Sequence, residues 1–331
     1  MSVVKNALIK PKRILIYHYF VAQIRQRNLI DALRINLKRL IFYILHFRKM
    51  RILGVLLRQF PLSESHQFKI KFGALSSHLS RSFSFGHALP MLIENYTFLK
   101  ENFSNASIEQ IFCSGLECWR FDIYSIQFIK TQEYDYEGSF ALIFKVEEKK
   151  IYTLSFSFVK SLVRQDEWVI YIARKQGQPG MLIESRKIAK TFNDNKIVAM
   201  VLAATEGLAL ALNIDAIIGV GTKNQLSYQK EEMHQIFSHS YDDYWETQES
   251  IKMLNGDYLL PVPMLLKPLE KIPAHHKKRT LIKRHRRLEI SISVRAFFLT
   301  CFKIELKDIN HYSPVEKPFN AKISYSVKQM A

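Results

Sequence analysis

"YIARKQGQPG", residues 171–180, is the stretch on which the fold turns. An aromatic and β-branched run gives way to Arg174, Lys175 and Gln176. Gly177 and Gly180 then bracket Pro179, and sequence of helical character follows. One reading is a Pro-Gly turn that closes a strand at Arg174. The other is a cradle in which backbone amides converge on phosphate groups, because glycine lacks the Cβ that blocks close approach. The neighbouring segments bear on the choice.

Upstream, the apolar pattern has period two. "RFDIYSIQFI" (120–129), "SFALIFKVEE" (139–148) and "KIYTLSFSFV" (150–159) alternate and are separated by short polar joints, so they predict an antiparallel meander. "DEWVIYIA" (166–173) is the next strand. Two helices are expected before the meander. One has Pro90 in its first turn and Met91, Leu92, Tyr96 and Leu99 on one face, and a short one covers 107–113.

Downstream, helices are predicted over 181–192 and 196–212, parted by the "NDN" turn at 193–195. The second is apolar nearly all round and belongs in the core. "IDAIIGVG" (214–221) reads as a buried strand. A polar helical stretch containing "YQKEEMHQIF" follows, and "GDYLLPVPMLL" supplies a Pro-limited edge strand. The order implies an α+β fold with one crossover, a mixed, mainly antiparallel sheet with flanking helices.

The ends are different. The first sixty residues carry thirteen Lys and Arg against one acid, Asp31, and so hold most of the net charge of +18. Leu37, Leu40, Ile41, Ile44 and Leu45 recur at helical spacing there. This suits an interfacial helix on an anionic membrane, with snorkelling Lys and Arg stems, and equally a basic helix packed on the domain. The apolar run 40–57 has Arg48, Lys49 and Arg51 at its centre, too costly for a span. No cleavable secretory leader is expected at the N-terminus. "HHKKRTLIKRHRR" (275–287) forms a second basic patch without an acid, and the last thirty residues have little pattern. The division suggested is a basic helical arm over 1–74, an α+β domain over 75–290 and a tail over 291–331.

The three cysteines, Cys113, Cys118 and Cys301, lack metal-ligand spacing and suit a reducing cytoplasm. In "HQIFSHSYDDYWE", His234 and His239 are five apart, wrong for a helical ligand pair, so Tyr241, Tyr244 and Trp245 are read as packing residues and Asp242 and Asp243 as caps or solvated groups. His87 reads as a satisfied structural residue. No metal site is expected. Glu167 and Glu206 are candidate bases, because a carboxyl in a strand or buried helix is pushed toward a pKa that suits proton abstraction. The arm interleaves Tyr17, Tyr19, Phe42 and Tyr43 with its charges, but no nucleic-acid-binding motif accompanies them, which ranks nucleic acid last among anionic partners.

Antiparallel strands leading into a Gly-bearing turn, a buried helix and a strand resemble the N-acetyltransferase (GNAT) superfamily over the central part of the chain. The resemblance implies a GNAT-like sheet and acyl-CoA as cofactor. It places the pyrophosphate on Gln176, Gly177, Gln178 and Gly180 and admits the pantetheine between splayed strands. In "GTKNQLSYQK", Asn224 and Tyr228 are similar to the superfamily's Asn and its helix-borne Tyr, which implies Tyr228 as general acid for the departing thiolate. This loop departs from the usual one, since Gly177 and Gly180 stand three apart. A second resemblance covers residues 75–290. "ALPMLIENYTFL", "YTLSFSF", "QGQPG", "IGVGTKN", "HSYDDYWE" and "LLPVPMLLKPLEKIPAHHKKR" are similar to the VirK/YbjX family, which includes LapB proteins. It implies a bacterial, envelope-related role in virulence and antimicrobial-peptide resistance. The implied location is the cytoplasmic side, peripheral on the inner membrane. The implied partners are the anionic membrane surface and an envelope component or surface virulence protein. No catalytic residues carry over, so an acyltransferase and a non-catalytic accessory both remain open.

Overall fold

The computed structural model describes residues 37, 40–73, 78–131, 137–161, 167–228 and 234–303. The arm before residue 37, the start of the strand expected from 166, part of "YQKEEMHQIF" and the tail from 304 lie outside the described residues. Nine helices and an eight-stranded sheet are present among those described. In chain order they are α1 (Phe47–Leu57), α2 (Glu64–Gly73), α3 (Phe85–Asn102), α4 (Asn105–Cys113), β1 (Leu116–Phe121), β2 (Tyr124–Lys130), β3 (Phe140–Val146), β4 (Lys149–Lys160), β5 (Trp168–Gly177), α5 (Leu182–Thr191), α6 (Ile197–Ala211), β6 (Ala216–Gly219), α7 (His234–Ser240), α8 (Asp242–Glu246), β7 (Ile251–Lys252), β8 (Tyr258–Pro261) and α9 (Ala274–Leu299). The sheet order is β1-β2-β3-β4-β5-β6-β8-β7, antiparallel throughout except for β5 and β6. This is the α+β, mainly antiparallel sheet with flanking helices that the pattern predicts.

The sheet buries one face. Phe128, Leu142, Phe144, Leu154 and Phe156 are fully covered, and α6 packs across β3 and β4 while α9 crosses α6. The all-round apolar sequence of α6 follows from this position between sheet and helix. Where β4 outruns β3, its amides at Phe158 and Lys160 donate to the side chains of Asn95 (2.8 Å) and Glu94 (3.4 Å) on α3, so the uncovered strand edge is satisfied by a helix.

Several boundaries differ from expectation. "RFDIYSIQFI" is a hairpin, not one strand. Asp122 adopts φ 54°, a left-handed turn conformation that Asp tolerates, and β1 folds back on β2. Pro90 lies inside α3, which starts five residues earlier at Phe85. β8 is interior, between β6 and the two-residue β7. α9 runs unbroken across residue 291 because Ile290, Ser291, Val294 and Phe298 continue its buried face.

The largest correction falls on the opening stretch. β5 does not stop at Arg174 but continues through Gly177, with Arg174 opposite Ser155, Lys175 opposite Leu154, Gln176 opposite Thr153 and Gly177 opposite Tyr152. The polar residues are therefore one more cycle of alternation on a paired strand, not its end.

Candidate functional site

Cross-strand pairing lines up two rows on the sheet face opposite the buried one. Gln127, Ile143, Thr153 and Gln176 form one row, and Ile129, Ala141, Ser155 and Arg174 the other. Together they floor a groove of about 570 Å³. Lys145, Lys150 and Arg174 line it, and the turn Gly177, Gln178 and Pro179 closes one side. Glu137 is the one carboxylate in the lining. The Thr153 hydroxyl is buried in the floor with no hydrogen-bond partner among the described residues, leaving one polar atom for a ligand to satisfy.

Three of the four expected cofactor-loop residues, Gln176, Gly177 and Gln178, thus border the groove, with Gly180 in the same turn at φ 78°. The turn is pinned by the Gln178 amide donating to Ile151 O (2.8 Å). A Cβ at Gly177 would meet only Tyr152, at ordinary contact distance (3.7 Å), so the fold leaves room for a side chain there. α5 begins at Leu182, directly after the turn.

Glu137 ties the groove to the second expected segment. Its carboxylate pairs with Arg174 (3.0 Å) and accepts from Gln225 Nε2 (2.8 Å) and Ser227 Oγ (2.7 Å). Asn224 and Tyr228 flank these donors but do not line the groove. Asn224 Nδ2 donates to Asn255 O (2.7 Å) and Asp257 Oδ1 (2.9 Å). Tyr228 is buried, its ring edge-on to Phe237, and its backbone carbonyl accepts from Arg81. Glu167 is exposed at the start of β5, remote in sequence from the groove-lining end of that strand. Glu206 accepts from the Met264 amide (2.7 Å), and burial holds its carboxyl above the usual 4.5. It fastens the segment after β8 to α6.

Asp257 is a buried hub that no motif signalled. It accepts from the Gly221 amide (2.9 Å), Asn224 (2.9 Å), Tyr171 Oη (3.0 Å) and Asn255 (2.8 Å). Burial raises its carboxyl above the usual 3.8, and these four donors work against that rise. Backbones crowd here, since a Cβ on Gly221 would come 1.9 Å from Gly256 O.

The parallel strands separate beyond Ile172 and Gly219. Pairing covers Ile170 to Ile172, one more bond joins the Val220 amide to Ile172 O (2.9 Å), and β5 then continues with β4 alone. On that side Trp245 Nε1 donates to Val220 O (2.9 Å), and the Lys175 amide donates to Tyr241 Oη (3.3 Å). Lys175 Nζ is enclosed by the rings of Tyr244 (3.6 Å), Trp245 (4.1 Å) and Tyr241 (5.1 Å) and has no hydrogen-bond partner among the described residues. Burial pushes its amine well below the usual 10.5, against the pull of Asp242, while the ring faces attract the charged form.

A profile described as protein of unknown function (DUF535) matches residues 31–290. The chain belongs to the DUF535 family. No curated protein matches it.

In this DUF535 chain the matched region takes in α1 and α2 as well as the whole sheet. Tyr241 and Trp245 pack, and Asp242 caps the Thr222 amide (2.7 Å), as the sequence suggested. Among the described residues no group of three or more His, Cys, Asp and Glu comes together to hold a metal. The DUF535 residues missed from sequence were Glu137, Asp257 and Lys175. None carried a signal of its own, because Lys175 falls in the polar run that reads as the end of its strand.

Proposed function

We propose that this DUF535 protein binds a phosphorylated acyl donor of the acyl-CoA class in the groove and is a GNAT-like acyltransferase acting on a component of the bacterial envelope. The observation that carries this reading is the meeting of three features at the end of β5: the Gly177–Gly180 turn, the basic groove lined by Arg174, Lys145 and Lys150, and the parting of the parallel pair. Phosphates would lie against the turn and the cations, and Ile129, Ala141 and Ile143 offer an apolar floor for the remainder. Tyr228 and Asn224 would enter as general acid and positioning group once the segment held by Glu137 moves toward the groove.

The envelope context rests on the VirK/YbjX resemblance, with its link to virulence and peptide resistance, and on exposed apolar residues ahead of α1. Leu40, Ile41, Ile44 and Leu45 are each about half exposed or more, in a helical stretch beside Arg48 and Lys49. No helix among the described residues is long and apolar enough to cross a membrane. Peripheral attachment to the anionic inner leaflet on the cytoplasmic side is the arrangement such a surface suits.

A second reading, a non-catalytic accessory for display of a surface virulence protein, is favoured by the Tyr241 and Trp245 plug. The gap between parallel strands that would admit a pantetheine arm is filled by these rings, and the Lys175 amide is already engaged. Calorimetry with acetyl-CoA and long-chain acyl-CoA decides between the readings. The first expects binding that Gly177→Val abolishes while the melting temperature stays nearly unchanged. A folded wild-type protein that releases no heat at millimolar ligand leaves the accessory reading.

A further inference from the structure

The first turns of α9 and the segment that precedes them form a second concavity, away from the groove. It has a volume of about 370 Å³. Lys267, Lys271, His276, Arg279 and Lys283 line it together with the Thr280 hydroxyl, and no carboxylate is in the lining. His276, Arg279, Thr280 and Lys283 fall at helical spacing on one face of α9, which aims them at a common point. The segment carrying Lys267 is fastened to the helix by Arg284, which donates to the Lys267 carbonyl. Of the cations, Arg279 is compensated on one side by Asp194 (2.8 Å). Lys283 is not. Its amine is depressed first by burial and then by the nearby charges of Arg279, Arg287 and Lys196, with Asp194 the one opposing group. The cluster thus repels itself, and an anion placed in it would relieve that repulsion.

Leu265 and Leu266 immediately precede Lys267 and are 46% and 56% exposed. Two residues of extended chain reach no further than roughly 7 Å, so apolar side chains stand at the edge of the cationic pocket. Cations beside exposed leucines match a phosphate headgroup with acyl chains beneath it. The lining has no Phe, Tyr or Trp on which a base could stack.

We infer that the pocket between residues 267–273 and the first turns of α9 receives the phosphate of an anionic phospholipid headgroup while Leu265 and Leu266 insert beside it. This rests on the peripheral-membrane reading above and gives it a site, independent of the groove and of the helical stretch before α1.

The test is co-sedimentation of the full chain with vesicles of phosphatidylcholine alone and of phosphatidylcholine mixed with phosphatidylglycerol. Binding is expected only to the mixed vesicles and should fall with salt. Each cation near an anionic leaflet contributes about 1 kcal/mol, so Lys271→Glu with Lys283→Glu should weaken binding by about tenfold or more. Leu266→Ser should also weaken it, with the melting temperature unchanged. Lys283→Gln should keep or raise the melting temperature, because it removes a self-repelling charge. Mixed-vesicle binding that survives the pocket variants but is lost in Ile44→Ser/Leu45→Ser overturns the pocket and keeps membrane attachment. Wild-type protein that binds neither vesicle overturns both. Glycerol phosphate that competes fully at millimolar concentration points to a soluble phosphate ligand, and tRNA bound more tightly than vesicles through the same lysines points to nucleic acid. Either result overturns the lipid assignment.

Discussion

Lys175 Nζ lies 3.6 Å from the centre of the Tyr244 ring, on the face of β5 opposite to that carrying Arg174 and Gln176. A strand residue flanked by groove-lining neighbours is thereby sealed among aromatic rings from a helix almost seventy residues later. The ring faces reward a cation, whereas the loss of water penalises it. Their balance sets the first prediction.

Lys175→Met keeps most of the side chain's length and removes the charge. Unfolding stability near neutral pH is expected to be unchanged or to rise by up to about 2 kcal/mol, as for other buried charges replaced by apolar side chains. The pH dependence has a definite sign. With the folded pKa below the usual 10.5, the unfolded chain binds more protons between the two values, so wild-type stability rises with pH across that window. The advantage of Lys175→Met should be greatest at lower pH and shrink toward pH 10.5. Urea titrations at several pH values measure it. A variant less stable at every pH means that the three rings outweigh desolvation.

Gly207 on α6 faces the backbone of α9, where a Cβ would stand 2.4 Å from Ser291 O and 3.0 Å from Val294 Cβ. Gly207→Ala gains up to about 1 kcal/mol of helix propensity but must push two packed helices apart, at about 1–3 kcal/mol. A net loss of stability is expected. Gly177→Ala, whose Cβ meets nothing closer than 3.7 Å, serves as the control and should leave thermal unfolding nearly unchanged.

Asp257→Ala removes the acceptor of four donors. The stranded Gly221 amide, Asn224 and Tyr171 lie in a buried site, whereas the exposed Asn255 can turn to water, and buried unsatisfied groups cost about 1–3 kcal/mol each. A loss of about 3 kcal/mol or more is expected in denaturant unfolding. Because Asn224 holds the turn that leads to Gln225 and Ser227, any ligand affinity of the groove should weaken as well. Unchanged stability would mean that water replaces the carboxylate.

What could be read from the chain follows from how local each feature is. The alternation of β3 and β4 and the all-round apolar character of α6 are properties of single segments, and both helices after the turn fell within two residues of their expected ends. β5 past Arg174 was hidden because its continuation is fixed by β4, so polar alternation looked like an ending. The β1–β2 turn hangs on one Asp in a left-handed conformation. α9 was obscured by its charges, which outnumber the apolar residues until Ile290. Among the site residues, Gln178 and Gly180 were legible as part of a turn, whereas Gln176 and Gly177, read with them, belong to the paired strand. The roles of Glu137, Asp257 and Lys175 are created largely by partners that lie 33 to 90 residues away in the chain.

Tyr228 separates an enzyme from an accessory. Its backbone carbonyl, not its ring, takes the hydrogen bond from Arg81, and its ring packs edge-on against Phe237 at 5.8 Å. Tyr228→Phe preserves both contacts, so folding and any acyl-CoA affinity should be retained. A general acid contributes typically ~10²- to 10⁴-fold to rate. If Tyr228 protonates a departing thiolate, the Phe variant should bind donor as well as wild type yet lose transfer and, with it, peptide resistance in a deletion strain. Full complementation by the Phe variant would leave the fold and the groove in place and remove the transfer chemistry assigned to this hydroxyl.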